Sequence, residues 1–194
     1  MPKKGSYAKG IAKREEILTT ALDVFAQKGY RGASLREIAE SVGLSQAGLL
    51  HHFASKEELF SEVLRKRDEV DVTGASSRAP GFDALVDVVR HNAQVPGLVQ
   101  LYATISADAA DEDHPGHAYF VERYRLFIGQ LAQHVRAEQA AGRLDPGLDP
   151  LQIARLAIAV ADGMQVQWML DDSADMAETL EYFWTTLHRI GGTS

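Results

Sequence analysis

The chain contains no cysteine, which excludes a disulfide framework and a thiol nucleophile together. It also has no apolar run approaching membrane-spanning length, and its basic N-terminus is not followed by an apolar stretch. Neither membrane insertion nor export is therefore expected, and the cytoplasm is the default location. There is no Gly-x-Ser-x-Gly elbow, no phosphate-cradling glycine loop and no paired metal-binding histidine motif. No catalytic residue, cofactor or metal site is expected, and the chain does not read as an enzyme. No internal period or low-complexity tract recurs, so solenoid and disordered architectures are also set aside.

What is present is a chain of 194 residues with 45% hydrophobic content, enough for a sizeable core in one or two domains. Its net charge of −7 would ordinarily argue against a nucleic-acid partner. The charge is split, however. Residues 1–67 carry 12 Lys or Arg against 8 Asp or Glu, a balance of +4, whereas residues 68–194 carry 8 against 19, a balance of −11. No lysine occurs after Lys66, while Lys3, Lys4, Lys9, Lys13 and Arg14 crowd the beginning. A basic half suits a phosphate backbone, and an acidic half limits non-specific adhesion of the rest. The N-terminal lysines read equally well as a solvated tail and as an arm entering the minor groove.

The most heavily punctuated stretch runs from Ser34 to Phe60. Ser34 with Glu37 and Ser55 with Glu58 fit capping boxes, and Ser45 is a further N-cap candidate. Gly43 is placed to end the helix begun at Ser34, since glycine enters the left-handed region without steric cost. Leu35, Ile38, Ala39 and Val42 share one helical face, and Leu49 and Phe53 supply the apolar side of the next helix. Two short helices across a tight turn describe a helix-turn-helix, with small Ala39 allowing close approach and Leu44 and Leu49 filling the space between. The preceding helix, carrying Ile17, Leu18, Ala21, Leu22 and Phe25 and followed by Gly29, completes the core.

From about Ile11 to Leu64 the chain resembles the TetR family of transcriptional regulators. The likeness rests on a Gly43-Leu44-Ser45 step, then Leu49, then His52-Phe53, then Lys56 opening another helix, all in register. The resemblance implies an all-α fold: an N-terminal helix-turn-helix domain, residues 1–64, joined by a bridging helix to a larger ligand-binding and dimerisation domain, residues 65–194. It also implies a ligand-responsive regulator, most often a repressor. Such a protein binds a palindromic operator in double-stranded DNA as a homodimer and is released by a small organic effector. Carried over by position, Arg36, Gln46, Ala47 and Gly48 face base edges, with Arg36 suited to guanine and Gln46 to adenine. Ser34, Ser45, His51, His52 and Lys56 are placed to hold phosphates, Lys56 with help from the amide groups of its helix start. A solvated pair with Glu40 competes for Arg36, and packing beneath the recognition helix competes for His52. Leu50 departs from the family, which usually has a tyrosine there; it too lies on the DNA-binding surface.

Beyond this domain every periodic segment is helical. A bridging helix from Ser55 to about Val72 leads into a breaker-rich linker, Thr73 to Gly81. Phe82, Leu85, Val86 and Val89 mark one helix, Leu98, Leu101, Tyr102 and Ile105 another after the Pro96-Gly97 break, and Phe120 to Val135 a long third. Asp149 caps the next, with Pro150 at its first position. That helix is apolar on every side from Leu151 to Leu170 and must be covered on every side. Its partner carries Met176, Leu180, Phe183, Trp184, Leu187 and Ile190, a broad stripe that the resemblance assigns, Trp184 included, to a four-helix dimer interface.

Tyr102, Tyr124, Phe127, Asp162, Met164, Gln165 and Trp168 interrupt the apolar faces and form the candidate effector pocket, though each also reads as ordinary core. Gly163 costs about 1 kcal/mol relative to alanine in a helix, which room for a ligand or a close helix crossing would offset. The turn Asp111 to His117 combines carboxylates and imidazoles, but exposed acidic turns are common and a divalent metal is the weaker reading. An alternative to the whole is a helical small-molecule-binding or interaction protein without operator binding, motivated by Leu50 and the acidic balance.

Overall fold

The computed structural model describes residues 4–74 and 81–191. Among these residues the fold is all helical, with elements α1 (Lys4–Gly32), α2 (Leu35–Ser41), α3 (Gln46–His52), α4 (Lys56–Gly74), α5 (Phe82–Ala93), α6 (Pro96–Asp108), α7 (His117–Ala140), α8 (Pro150–Leu170) and α9 (Met176–Gly191). No helix among the described residues is long and apolar enough to cross a membrane. Of the linker expected over Thr73 to Gly81, residues 75–80 lie outside the described residues.

Two compact units emerge, one of residues Met1–Val70 with Val95–Tyr119 and one of Asp71–Gln94 with Phe120–Ser194. The sequence had suggested a division at 64/65; the difference is that α6 belongs with the first unit. Gly97 shows why. A Cβ at Gly97 would stand 2.1 Å from the Phe25 carbonyl oxygen, so the start of α6 lies directly on the backbone of α1. Only a residue without a side chain permits that approach. Opposite it, α1 breaks its helical geometry at Gly29, at φ 68° and ψ 177°.

The first unit packs Ile17, Ala21 and Phe25 of α1 against Ile38, Ala39, Leu49, Leu59 and Phe60, all fully buried. The Phe25 and Phe60 rings meet edge to face at 4.2 Å, the arrangement their quadrupoles favour. Leu101 and Ile105 of α6 are buried in the same unit.

The second unit assembles α5, α7, α8 and α9. Val135, Leu144 and Ile153 form a buried cluster against which Leu148, Trp184 and Leu187 pack. The Trp184 ring stacks on Phe82 at 4.3 Å and 7°. Trp184, expected in the dimer stripe, is half-buried and packs within its own subunit. Along α9 the buried residues are Met176, Ala177 and Leu180, whereas Tyr182 is 70% exposed. The Ile190 side chain lies outside the described residues.

Candidate nucleic-acid interface

The short helices α2 and α3 are positioned by caps that the sequence spells out. Ser34 accepts from the Glu37 amide at 3.2 Å, Ser45 from the Gly48 amide at 3.1 Å and Ser55 from the Glu58 amide at 3.1 Å. Each bond satisfies one of the amides a helix start leaves open. At the far end of α2 the Gly43 amide donates to the Glu40 carbonyl (3.1 Å) and the Leu44 amide to the Ala39 carbonyl (2.8 Å). That pair of bonds is the Schellman motif, and it requires the φ of 68° that Gly43 adopts.

Two cations of α1 hold the ends of both helices, which sequence reading missed. Lys13 donates to the Val42 carbonyl at 2.6 Å, closing the C-terminus of α2, and also pairs with Glu16. Arg14 donates to the His52 carbonyl at 2.5 Å, closing α3. Its guanidinium lies 4.0 Å from the centre of the Phe53 ring and pairs with Glu62 at 3.3 Å on α4. Cations at helix C-termini complement the carbonyl ends of the dipole. Lys13 and Arg14 are therefore structural braces of the motif. The side chains of Lys3 and Lys4 lie outside the described residues.

The outward face of α3 is built from Gln46, Ala47, Leu50 and His51, all exposed, with Gly48 and His52 half-buried beside it. The His51 and His52 ring centres are 6.0 Å apart with their planes inclined at 72°. Arg36 on α2 is 79% exposed and donates to Glu40 at 2.8 Å. That hydrogen bond, with the attraction of the Glu40 charge, raises the guanidinium pKa above its ordinary value. Lys56 is half-buried, its ammonium 5.0 Å from the Phe60 ring centre. At that helix start Ser55 accepts from the Glu58 amide, and Glu58 accepts from the Ala54 amide at 2.6 Å. Ser34, Ser45 and Ser55 each spend an acceptor lone pair on a cap, which leaves their hydroxyl hydrogens free to donate outward.

Residues 17–63 match the family model described as bacterial regulatory proteins, tetR family. Over 144 residues the chain is 31% identical to the HTH-type transcriptional repressor KstR2 of Rhodococcus jostii (strain RHA1), covering 70% of this chain and 65% of that one. Residues 17–63 are thus a DNA-binding domain of the TetR-family type, and the chain spans less than two thirds of the length of the curated relatives it matches. Likeness in fold extends over almost its whole length. A putative TetR-family transcriptional regulator from Rhodococcus sp. superimposes with a TM-score of 0.68 at 19% identity, covering 93% of this chain and all of that one. Thermus thermophilus FadR, a TetR-family repressor solved with lauroyl-CoA, gives 0.58 at 21% identity, covering 93% and 95%.

The residues expected to line an effector pocket fall in both units. Tyr102 is buried in the first unit; the other six lie in the second. Tyr124 donates its hydroxyl to Asp162 at 2.7 Å, and Arg123 covers the Phe127 ring at 4.5 Å. Met164 and Gln165 are buried, and the Gln165 side-chain oxygen has no hydrogen-bond partner. Trp168 borders a cleft of about 370 Å³ with Arg90, Met176, Glu178 and Glu181. In the turn Asp111 to His117 the polar groups serve the backbone: Asp111 accepts from the Asp113 amide, His114 from the Gly116 amide, and His117 bonds the Ala109 carbonyl. Among the described residues no group of three or more His, Asp or Glu could hold a metal ion.

Proposed function

We propose that the protein is a transcriptional repressor that binds a palindromic DNA operator as a homodimer and releases it when a small organic effector binds. The observation that carries this reading is the exposed face of α3, held at its start by the Ser45 cap and at its end by the Arg14 brace. A rigid helix of this length, presenting Gln46 and neighbours outward, fits the major groove. In this reading Arg36 and Gln46 contact base edges and Ser34, Ser45, His51, His52 and Lys56 contact phosphates. Arg36 must exchange Glu40 for a base to do so. Selecting operators from random duplexes with the purified protein tests the proposal directly; recovery of no inverted repeat would refute it.

The dimer is supported by α8. Leu156, Val166 and Leu170 are exposed on it, the last at 84%, and follow one another with Ala159 and Gly163 at intervals of three or four residues. A Cβ at Gly163 would meet nothing within 4 Å, so nothing in the subunit itself requires this glycine. A close crossing of α8 with its copy accounts for it. Gly163→Leu should leave the subunit folded and raise the dimer dissociation constant by at least about tenfold. A sedimentation profile unchanged from the unaltered protein would remove α8 from the interface.

The effector reading leans on FadR, whose structure holds an acyl-CoA, and on the unmet Gln165 oxygen in the second unit. An effector acts only through unequal affinity for the two states of the regulator. The seating of α6 on α1 at Gly97 gives the first unit an element through which its motif could be moved.

A further inference from the structure

Within the first unit, and among the described residues, Ile11 and Leu50 are the only exposed large apolar side chains. Leu50 is 37% exposed and sits in the middle of the outward face of α3. Ala47 lies three residues before it, the spacing that brings two side chains together on a helix surface, and is also exposed. The centre of the presented face is thus apolar, flanked by the amide of Gln46 and the imidazole of His51. An apolar pair makes no hydrogen bond to phosphates, to sugars or to the donors and acceptors of base edges. The grooves of B-DNA display one apolar group, the C5 methyl of thymine in the major groove.

We infer that Ala47 and Leu50 read thymine methyl groups, making Leu50 a specificity-determining residue. The inference rests on the operator-binding reading above and adds to it a base that the polar side chains do not specify. With Gln46 suited to adenine, the prediction is an A·T-containing core in each half-site, in which thymine is distinguished from cytosine and uracil by its methyl group. Each methyl group buried against Leu50 should strengthen binding about three- to fivefold.

The test uses the full-length protein and an operator selected from random duplexes. Each thymine is replaced singly by deoxyuracil, which removes the methyl group and leaves every donor and acceptor in place. The expected result is a loss of about three- to fivefold at one or two positions of each half-site and none elsewhere. Leu50→Ala should bind the thymine duplex more weakly and become indifferent to uracil at those same positions. Tolerance of uracil throughout by the unaltered protein would overturn the inference, as would an unchanged uracil penalty in Leu50→Ala. The uracil scan needs no variant, so a poorly behaved Leu50→Ala leaves it decisive. Failure to bind any duplex would overturn the operator-binding reading itself, an outcome distinct from binding that ignores the methyl group.

Discussion

The two units treat their apolar side chains differently. Among the described residues the first leaves Ile11 and Leu50 exposed, whereas the second leaves Val121 and Leu126 on α7, Leu151, Leu156, Val166, Met169 and Leu170 on α8, and Tyr182 on α9. Side-chain caps tie helix starts in both units, at Ser34, Ser45 and Ser55 in the first and at Asp149 and Asp175 in the second, and in the first Lys13 and Arg14 also close two helix ends. A row of large apolar residues on one helix face is the pattern of a protein–protein contact surface. The proposed dimer contact accordingly draws on the row of exposed apolar residues along α8.

The largest expected effect tests which side of α9 belongs to the subunit. Trp184→Ala removes the ring stacked on Phe82 and should destabilise the second unit by about 2–4 kcal/mol. Tyr182→Ala should cost the subunit less than about 1 kcal/mol and weaken self-association instead. Denaturant unfolding together with sedimentation separates the two. If Trp184→Ala instead yields a stable monomer, the assignment of faces is reversed.

A smaller effect probes the bracing of the first unit. Arg14→Ala strips a guanidinium from the His52 carbonyl and from Glu62 and should cost about 1–3 kcal/mol of stability. Arg14→Lys should recover little of it, because an ammonium cannot reach the carbonyl, the carboxylate and the Phe53 face in one geometry. Full stability in the alanine variant, measured by urea titration, would mean that the braces are ornamental.

Within the interface, Gln46→Ala should cost about 1–3 kcal/mol on the selected operator and little on scrambled DNA. Lys56→Ala should weaken both duplexes alike and lower the salt slope by about 1 per subunit. Titrations at several salt concentrations distinguish reading from positioning. Equal losses on both duplexes for Gln46→Ala would reassign it to positioning.

The smallest effect belongs to the second unit and to acid. Glu138 accepts two hydrogen bonds from Arg143, at 2.6 and 2.8 Å, and a third contact comes from His188 at 3.4 Å. The Arg143 bonds, outweighing the cost of burial, lower its carboxyl pKa to about 2. A carboxylate whose pKa is depressed by folding stabilises the fold above its unfolded pKa. That contribution disappears as the pH falls from the ordinary carboxylate range, about 4.5, towards 2. After allowance for solvent screening it amounts to about 1–2 kcal/mol. Glu138→Gln should therefore flatten the acid limb of stability against pH, and an unchanged limb would assign acid sensitivity to other groups.

How much of this could be read from residues alone depends on the range of the interaction. The caps at Ser34, Ser45 and Ser55 and the Gly43 turn join atoms three to five residues apart. Their geometry is dictated by the local backbone, so sequence determined them, and with them the helix-turn-helix and the face that α3 presents. Lys13 and Arg14 find their carbonyls 29 and 38 residues away, and a charge count near a terminus carries no information about such partners. Gly97 reads as a breaker in sequence and is a crossing point with α1 in the fold. Trp184 was legible as apolar and helical, but a broad stripe offers two faces. Only the packing of α5, α7 and α8 against α9 decided which of them turned inward, because period fixes which residues share a face and tertiary contact fixes what that face meets.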